Sequence, residues 1–262
     1  MIGRVSSRDT TRVAFVTGAG SGIGRATALL ALERGYAVAA VDRDEAGLAQ
    51  TLERAAGAER LVTIAADVID RAAVDSAVAA AVERFGRLDV LIAAAALGTT
   101  GRIDAVDADV WDTIIDITLK GSSNCCRAAI PQMRAGGGGS IVLFGSVLGR
   151  AVTPGVGAYA AAKAGIEGLV RTLAIDHARE GIRVNCIAPG STDTPMMWLG
   201  IPPGEIDEAR RMCEEDIPLA RVADPLELAR PILFLASDEA SFITGTTLVA
   251  DGGVLAKFAS RL

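Results

Sequence analysis

The chain is poor in the residues that build metal and nucleophile sites. It has one histidine, His177, so a histidine-rich metal site is excluded and no metal is expected. His177 sits in the stretch Ile175-Asp176-His177-Ala178-Arg179, which reads as the polar end of a helix and argues against a Ser-His-Asp relay. The four cysteines, Cys125, Cys126, Cys186 and Cys213, show no Cys-x-x-Cys spacing, and adjacent Cys125 and Cys126 are poor partners for each other. They read as reduced, mostly buried packing residues of a cytoplasmic protein. Long apolar runs are missing too: the longest, Val90 to Leu97, is far short of the roughly 20 residues that cross a bilayer. The segment Met1 to Arg8 carries no hydrophobic signal core, so export is not expected. A net charge of −6 lends no support to nucleic acid or an anionic membrane as partner.

What the chain does have is a regular alternation of two patterns. Strand-like stretches fall at Arg12–Thr17, Tyr36–Val41, Leu61–Ala65, Leu88–Ala93, Ser140–Phe144, Arg183–Ile187 and Thr247–Ala250. Helical periodicity fills Gly22–Glu33, Glu45–Ala56, Arg71–Phe85, about Ala108–Arg134, about Gly157–Arg179 and Pro225–Ala236. Several strands are apolar throughout, which suits parallel strands covered on both faces. Repeated β-α units of this kind predict an α/β fold: a doubly wound, Rossmann-type parallel sheet in three layers. No linker-like stretch divides residues 1–262, so a single domain is expected.

The first strand leads into Thr17-Gly18-Ala19-Gly20-Ser21-Gly22-Ile23-Gly24 and then a helix. Such a turn lets backbone N–H groups approach a pyrophosphate, and the helix N-terminus adds favourable partial charge. The spacing that fits is Gly-x-x-x-Gly-x-Gly on Gly18, Gly22 and Gly24, not Gly-x-Gly-x-x-Gly. The second strand ends at Asp42, placed to accept hydrogen bonds from an adenosine ribose and to repel a 2′-phosphate. Farther on, Tyr159 and Lys163 lie four apart in an alanine-rich helical run, which stacks them on one face. An ammonium there favours the phenolate, and so lowers the phenol from its usual pKa near 10.

Taken together, these residues resemble the short-chain dehydrogenase/reductase family. The likeness runs from about Arg12 to Gly253 through an ordered series: Thr17–Gly24, Asp67-Val68, Ser146, Tyr159 with Lys163, Asn185, Pro189-Gly190 with Thr192 and Thr194, and Asp251-Gly252-Gly253. The resemblance implies an oxidoreductase that interconverts a secondary alcohol and a ketone by hydride transfer. It makes Tyr159 the general acid/base and Lys163 its activator and a ribose ligand. Ser146, thirteen positions before the tyrosine, would hold the substrate oxygen. Gly18, Ser21, Gly22, Ile23, Gly24, Arg43, Asp67, Val68, Ala94, Pro189, Gly190, Thr192 and Thr194 complete the implied cofactor site. Asp42, and Ser21 where NADP-preferring relatives carry a basic residue, make NAD the expected cofactor; Arg43 leaves some ambiguity.

Two departures bear on activity. Ala93-Ala94-Ala95-Ala96 stands where the family has Asn-Asn-Ala-Gly, and Thr118 stands where it has an active-site asparagine. Thr118 is expected to keep a proton path through its hydroxyl and carbonyl. The alternative is a cofactor-binding protein of this type that has lost turnover and serves a regulatory or scaffolding role. The apolar segment within 195–215 resembles the family's mobile substrate loop and suggests a lipophilic or alicyclic small molecule. Ile114, Ile115, Ile117 and Leu119, with Ile166, Leu169, Val170 and Leu173, make two helices apolar over more than one narrow stripe, and the resemblance implies a homotetramer.

Overall fold

The computed structural model describes residues 11–98 and 101–257; the segment examined for a signal core lies outside them. Seven strands form one parallel sheet in the order β3-β2-β1-β4-β5-β6-β7. They are β1 (Val13–Thr17), β2 (Ala37–Asp42), β3 (Leu61–Ala65), β4 (Val90–Ala93), β5 (Gly139–Phe144), β6 (Ile182–Pro189) and β7 (Thr247–Ala250). The helices are α1 (Gly22–Glu33), α2 (Glu45–Arg54), α3 (Arg71–Phe85), α4 (Ala108–Ile115), α5 (Gly121–Ala135), α6 (Gly157–His177), α7 (Ile206–Asp216) and α8 (Pro225–Ala236).

The apolar strands follow from the three layers. Phe15, Leu91, Ile141 and Val184 point to one face, where Val78, Met133 and Ile166 of α3, α5 and α6 cover them. Val16, Ile92, Val142 and Ile187 point to the other, against Ala28 and Ala31 of α1 and Leu228 and Ile232 of α8. Each large side chain so buried contributes about 1.5–3 kcal/mol of transfer free energy. The strand order reverses between β1 and β4, whose ends pair Thr17 with Ala93. A crevice at the carboxyl ends of the strands opens there.

Three details differ from the sequence reading. The long helix over 108–134 is continuous but contains a π turn at Asp116–Lys120 that joins α4 to α5. The helix expected to run to Arg179 ends its α form at His177 and closes with a 3₁₀ turn over Ala178–Glu180. The segment 195–215 is not all loop, because α7 occupies its second half. Asp207 and Glu208 in the first turn of α7 complement the helix dipole. Ile206, Arg210, Cys213 and Ile217 recur at helical spacing on its inner, less exposed face.

The apolar surplus of α4 to α6 is partly used within the chain. Ile114, Ile117, Ile166 and Val170 are buried, while Leu119, Leu169 and Leu173 pack half-buried against them. No helix among the described residues is long and apolar enough to cross a membrane.

Candidate active site

A cavity of about 850 Å³ opens at the carboxyl ends of the strands. Of the site residues expected from the sequence, all but Thr118 line it. At one end the glycine-rich turn passes from β1 into α1. Gly24 packs so closely that a Cβ there would overlap the Gly18 carbonyl. Gly22 has φ +50°, a conformation disfavoured for side chains, and faces Thr194. Ser21 precedes α1 in an extended conformation, makes no side-chain cap, and no acidic residue occupies the first turn. By contrast Asp70, Asp107 and Asp224 cap α3, α4 and α8. The N-terminus of α1 therefore presents N–H groups free of side-chain acceptors at the cavity, the arrangement an anion needs.

The turn is braced from behind by Arg25. Its guanidinium donates to the carbonyls of Gly20 and Gly47 and to Thr51 Oγ1, the last at 3.0 Å. Thr51 Oγ1 donates in turn to the Ala19 carbonyl at 2.8 Å. Asp42, at the end of β2, accepts from the Gly20 N–H at 2.9 Å and from the Asp44 N–H at 3.0 Å. Its charge is thereby fixed at the cavity wall. Arg43 turns toward Asp67, with Nη1 3.7 Å from Oδ2. Val68, beside Asp67, is anchored through its carbonyl by Asn124 Nδ2 at 2.9 Å, and Gly121 leaves room for its side chain.

Midway along the cavity, Ser146 follows β5 and caps a short 3₁₀ turn, accepting from the Leu148 N–H at 3.1 Å. Tyr159 and Lys163 lie on one face of α6. Lys163 is 2% exposed; its Nζ donates to the Phe144 carbonyl at 2.8 Å and lies 5.3 Å from the centre of the Tyr159 ring. Burial pushes the Lys163 ammonium down to about 8. Burial also pushes the Tyr159 phenol up, and the hydrogen bond with Ser146 only partly opposes it. The sequence reading expects the phenol below its usual value. In this structure it stands above, because loss of solvent outweighs the neighbouring polar groups.

Thr118 stands apart from the other expected site residues. It lies in the π turn, fully buried, outside the cavity wall. Its hydroxyl accepts from the Leu97 N–H at 3.2 Å and donates to the Leu97 carbonyl at 3.3 Å. Its own carbonyl accepts from Ser122 Oγ at 2.7 Å. The alanine run is also tied down: the Ala95 N–H donates to Thr17 Oγ1 at 3.2 Å.

At the far end, Pro189 and Gly190 close β6, and Thr192 Oγ1 donates back to the Gly190 carbonyl at 3.0 Å. Gly190 packs against Asp251, whose carboxylate accepts from the Gly253 and Leu255 N–H groups at 2.8 Å each. The segment after Thr194 is clipped to α7. Asp193 accepts from Trp198 Nε1 at 2.7 Å and from Arg210 at 2.8 Å, and the Arg210 guanidinium lies 4.9 Å from the centre of the Trp198 ring.

Several of these residues escape the sequence reading. Arg25 directly follows the last motif glycine, a position that signals its role only once α2 is packed there. Asn124 is a polar residue on the buried face of a helix, which is itself a signal. Asp193, Trp198 and Arg210 meet only through α7. Cys213 was expected among packing residues, yet it is half-buried and lines the cavity, while Cys125, Cys126 and Cys186 are buried as expected. Asn185 is structural: it donates to the Ile243 carbonyl and accepts from the Thr246 N–H, which braces the approach to β7.

Comparison with known proteins agrees with the fold and the crevice. The family described as Enoyl-(Acyl carrier protein) reductase matches residues 18–255. The chain is 42% identical over 248 residues to cis-4-hydroxycyclohexanecarboxylate dehydrogenase of Sinomonas cyclohexanicum, covering 94% of this chain and 97% of that protein. It is 38% identical to a 3-oxoacyl-[acyl-carrier-protein] reductase of Thermotoga maritima, covering 93% and 98%. The crystal structure of levodione reductase superposes with a TM-score of 0.87 at 36% identity, covering 94% of this chain and 98% of that one. The chain belongs to the short-chain dehydrogenase/reductase family. Members of this family are oxidoreductases that act on alcohol/ketone-type substrates with a nicotinamide cofactor.

Proposed function

We propose that the chain is an NAD-dependent oxidoreductase that interconverts a secondary alcohol and a ketone, with Tyr159 as general acid/base. The observation that carries this reading is the convergence of Ser146, Tyr159 and Lys163 on one cavity whose other end is the uncapped α1 turn.

The residues present fit a nicotinamide dinucleotide. The N-terminus of α1 and the space kept by Gly22 suit a pyrophosphate, and Asp42 suits ribose hydroxyls. Asp67 and Val68 would border the adenine, and Lys163 would reach the nicotinamide ribose. Pro189, Gly190, Thr192, Thr194 and Ala94 would line the remainder. Bound there, the cofactor supplies or accepts the hydride. Asp42, held by two backbone N–H groups, disfavours a 2′-phosphate, and Arg43 is engaged with Asp67; both favour NAD.

Ser146 would hold the substrate oxygen by hydrogen bond. Tyr159 gives that oxygen a proton as a ketone is reduced, or takes one as an alcohol is oxidised. Lys163 places positive charge behind the phenol and so eases its ionisation. The end of the cavity that is apolar along Met196, Met197 and Ile217 suits a lipophilic or alicyclic substrate. The name of the hydroxycyclohexanecarboxylate dehydrogenase relative points to a ring alcohol, in that protein one that carries a carboxylate. We further propose a homotetramer.

A second reading has one observation behind it. Thr118 already shares its hydroxyl with both backbone groups of Leu97 and its carbonyl with Ser122, which leaves one lone pair on each oxygen for a proton path. A cofactor-binding protein without turnover would tolerate such sharing. The test is a panel of ring and open-chain ketones with NADH, assayed for wild type and Tyr159→Phe. Turnover that falls by about 10²–10⁴-fold in the variant supports catalysis by the tyrosine. NADH binding with no turnover of any ketone supports the second reading.

A further inference from the structure

The substrate end of the cavity has a composition that separates ligands by charge. Its wall is formed by Met196, Met197, Leu199, Cys213, Ile217 and Val254. Among the described residues, the one charged group that lines this end is Asp216, the last residue of α7. Lys163 also lines the cavity, but it is buried beside Tyr159 and donates to the Phe144 carbonyl.

The cations that flank this region are each engaged. Arg210 is held by Asp193 at 2.8 Å and stacks on Trp198. Arg150 forks onto Glu167 at 2.8 and 3.0 Å. Lys257 donates to the Asp216 carbonyl at 3.4 Å, with its Nζ 3.8 Å from the Asp216 carboxylate. A carboxylate entering here would exchange water for sulfur and hydrocarbon, with no free cation among the described residues that line this end to meet it; Asp216 at the mouth is exposed and stands beside Lys257, so its charge is screened. Burial of an unpaired carboxylate is among the most costly transfers in proteins. An uncharged ring or chain meets only favourable surface, and the two methionines adapt to its shape.

We infer that this site takes an uncharged apolar ketone or alcohol and discriminates against substrates that carry a carboxylate. The inference rests on the oxidoreductase reading for the reaction, but not for the binding preference. It is separate from the choice of cofactor.

The test uses two ligands that differ by one charge, 4-oxocyclohexanecarboxylate and its methyl ester. With the full chain and saturating NADH, binding is followed by calorimetry and turnover by NADH absorbance. The ester is expected to bind at least tenfold more tightly, and, for turnover, to show a kcat/KM at least tenfold higher. Equal or tighter binding of the carboxylate overturns the inference whether or not either ligand turns over. So does the failure of the ester to bind. Ester binding with the expected preference but without turnover upholds the inference and counts against the oxidoreductase reading.

Discussion

Lys163 Nζ donates to the Phe144 carbonyl at 2.8 Å, joining α6 to the end of β5 directly beneath Tyr159. The bond fixes the ammonium but does not replace the solvent it has lost, and burial lowers its pKa from 10.5 to about 8. Between these two values the unfolded chain holds more protons than the folded one. The contribution of this group to stability therefore rises with pH across that window. Below it, the buried charge costs about 3 kcal/mol. Relative to Lys163→Met, wild type should gain in Tm as pH rises from about 8 toward 10. A difference in Tm that is flat with pH would refute the assignment. Turnover of the variant should fall by about 10²-fold or more.

Thr118 serves as a strut in this structure. Its hydroxyl satisfies both the N–H and the carbonyl of Leu97, which lines the cavity next to the alanine run. Thr118→Val removes both bonds from these part-buried groups and should cost about 0.5–1.5 kcal/mol. Thr118→Ser keeps the hydroxyl and should retain most of the stability. Denaturant unfolding checks the order. If valine and serine are equally stable, the bonds to Leu97 contribute nothing. If both match wild type in stability yet slow turnover, Thr118 acts on the proton path after all.

Much of this architecture can be read from the chain because it rests on local pattern. Apolar strands such as Val13–Thr17 and Val90–Ala93 mark a sheet covered on both faces, and Gly18, Gly22 and Gly24 mark the turn. Tyr159 and Lys163 declare themselves by helical spacing. Three features depend on contacts distant in sequence and stay hidden. The π turn at Asp116–Lys120 interrupts the α-helix around Thr118, which no periodicity reveals. The clip of Trp198 and Arg210 on Asp193 needs α7, whose charged sequence resembles an exposed loop. The direction of the Tyr159 shift depends on how completely the crevice excludes water.

Asp42 fixes the glycine-rich turn and the cofactor choice together. Its Oδ2 accepts from the Gly20 N–H at 2.9 Å, so Asp42→Ala loosens the turn as well as removing the charge. NADH affinity should fall by about tenfold or more, as expected for loss of a charged acceptor worth about 1.5–3 kcal/mol. NADPH affinity should fall less or rise, since the repulsion of a 2′-phosphate is gone. Calorimetric titration with both cofactors decides the matter. Wild type binding NADPH more tightly than NADH would overturn the preference for NAD.

Asp193 holds the substrate segment closed through Trp198 and Arg210. The hydrogen bond from Trp198, then that from Arg210, lowers its pKa below the usual 3.8. The carboxylate is thus charged at all pH values above that range, and its contribution is lost only as pH falls through the lowered value. KM should therefore show no dependence on this group from about pH 5 to 8. Asp193→Ala should raise KM several-fold with a smaller effect on kcat, because the clip positions the wall and not the reacting atoms. An unchanged KM, or a loss confined to kcat, would remove Asp193 from substrate binding.

Assembly is the remaining test of the apolar surface. Ile114, Ile117, Ile166 and Val170 are satisfied within one chain, so the surface left for a partner is narrower than the sequence suggests. Among the apolar residues that stay exposed, three bear on assembly. Val110 on α4 and Ile175 on α6 are 37% and 80% exposed, and Phe242, between α8 and β7, is fully exposed. Isolated exposed apolar residues need no explanation, but a fully exposed phenylalanine beside the last strand of the sheet suits a symmetric contact. Two distinct self-contacts, one through α4 to α6 and one through α8 and β7, generate a tetramer. Light scattering should then give about four times the chain mass of 26.9 kDa. Phe242→Asp should break one contact and give dimers, and Ile175→Glu should weaken the other, which braces Tyr159 and Lys163 on α6. Loss of activity is accordingly expected to be greater for Ile175→Glu than for Phe242→Asp. An active wild-type particle with the mass of a single chain at micromolar concentration would sink the proposal.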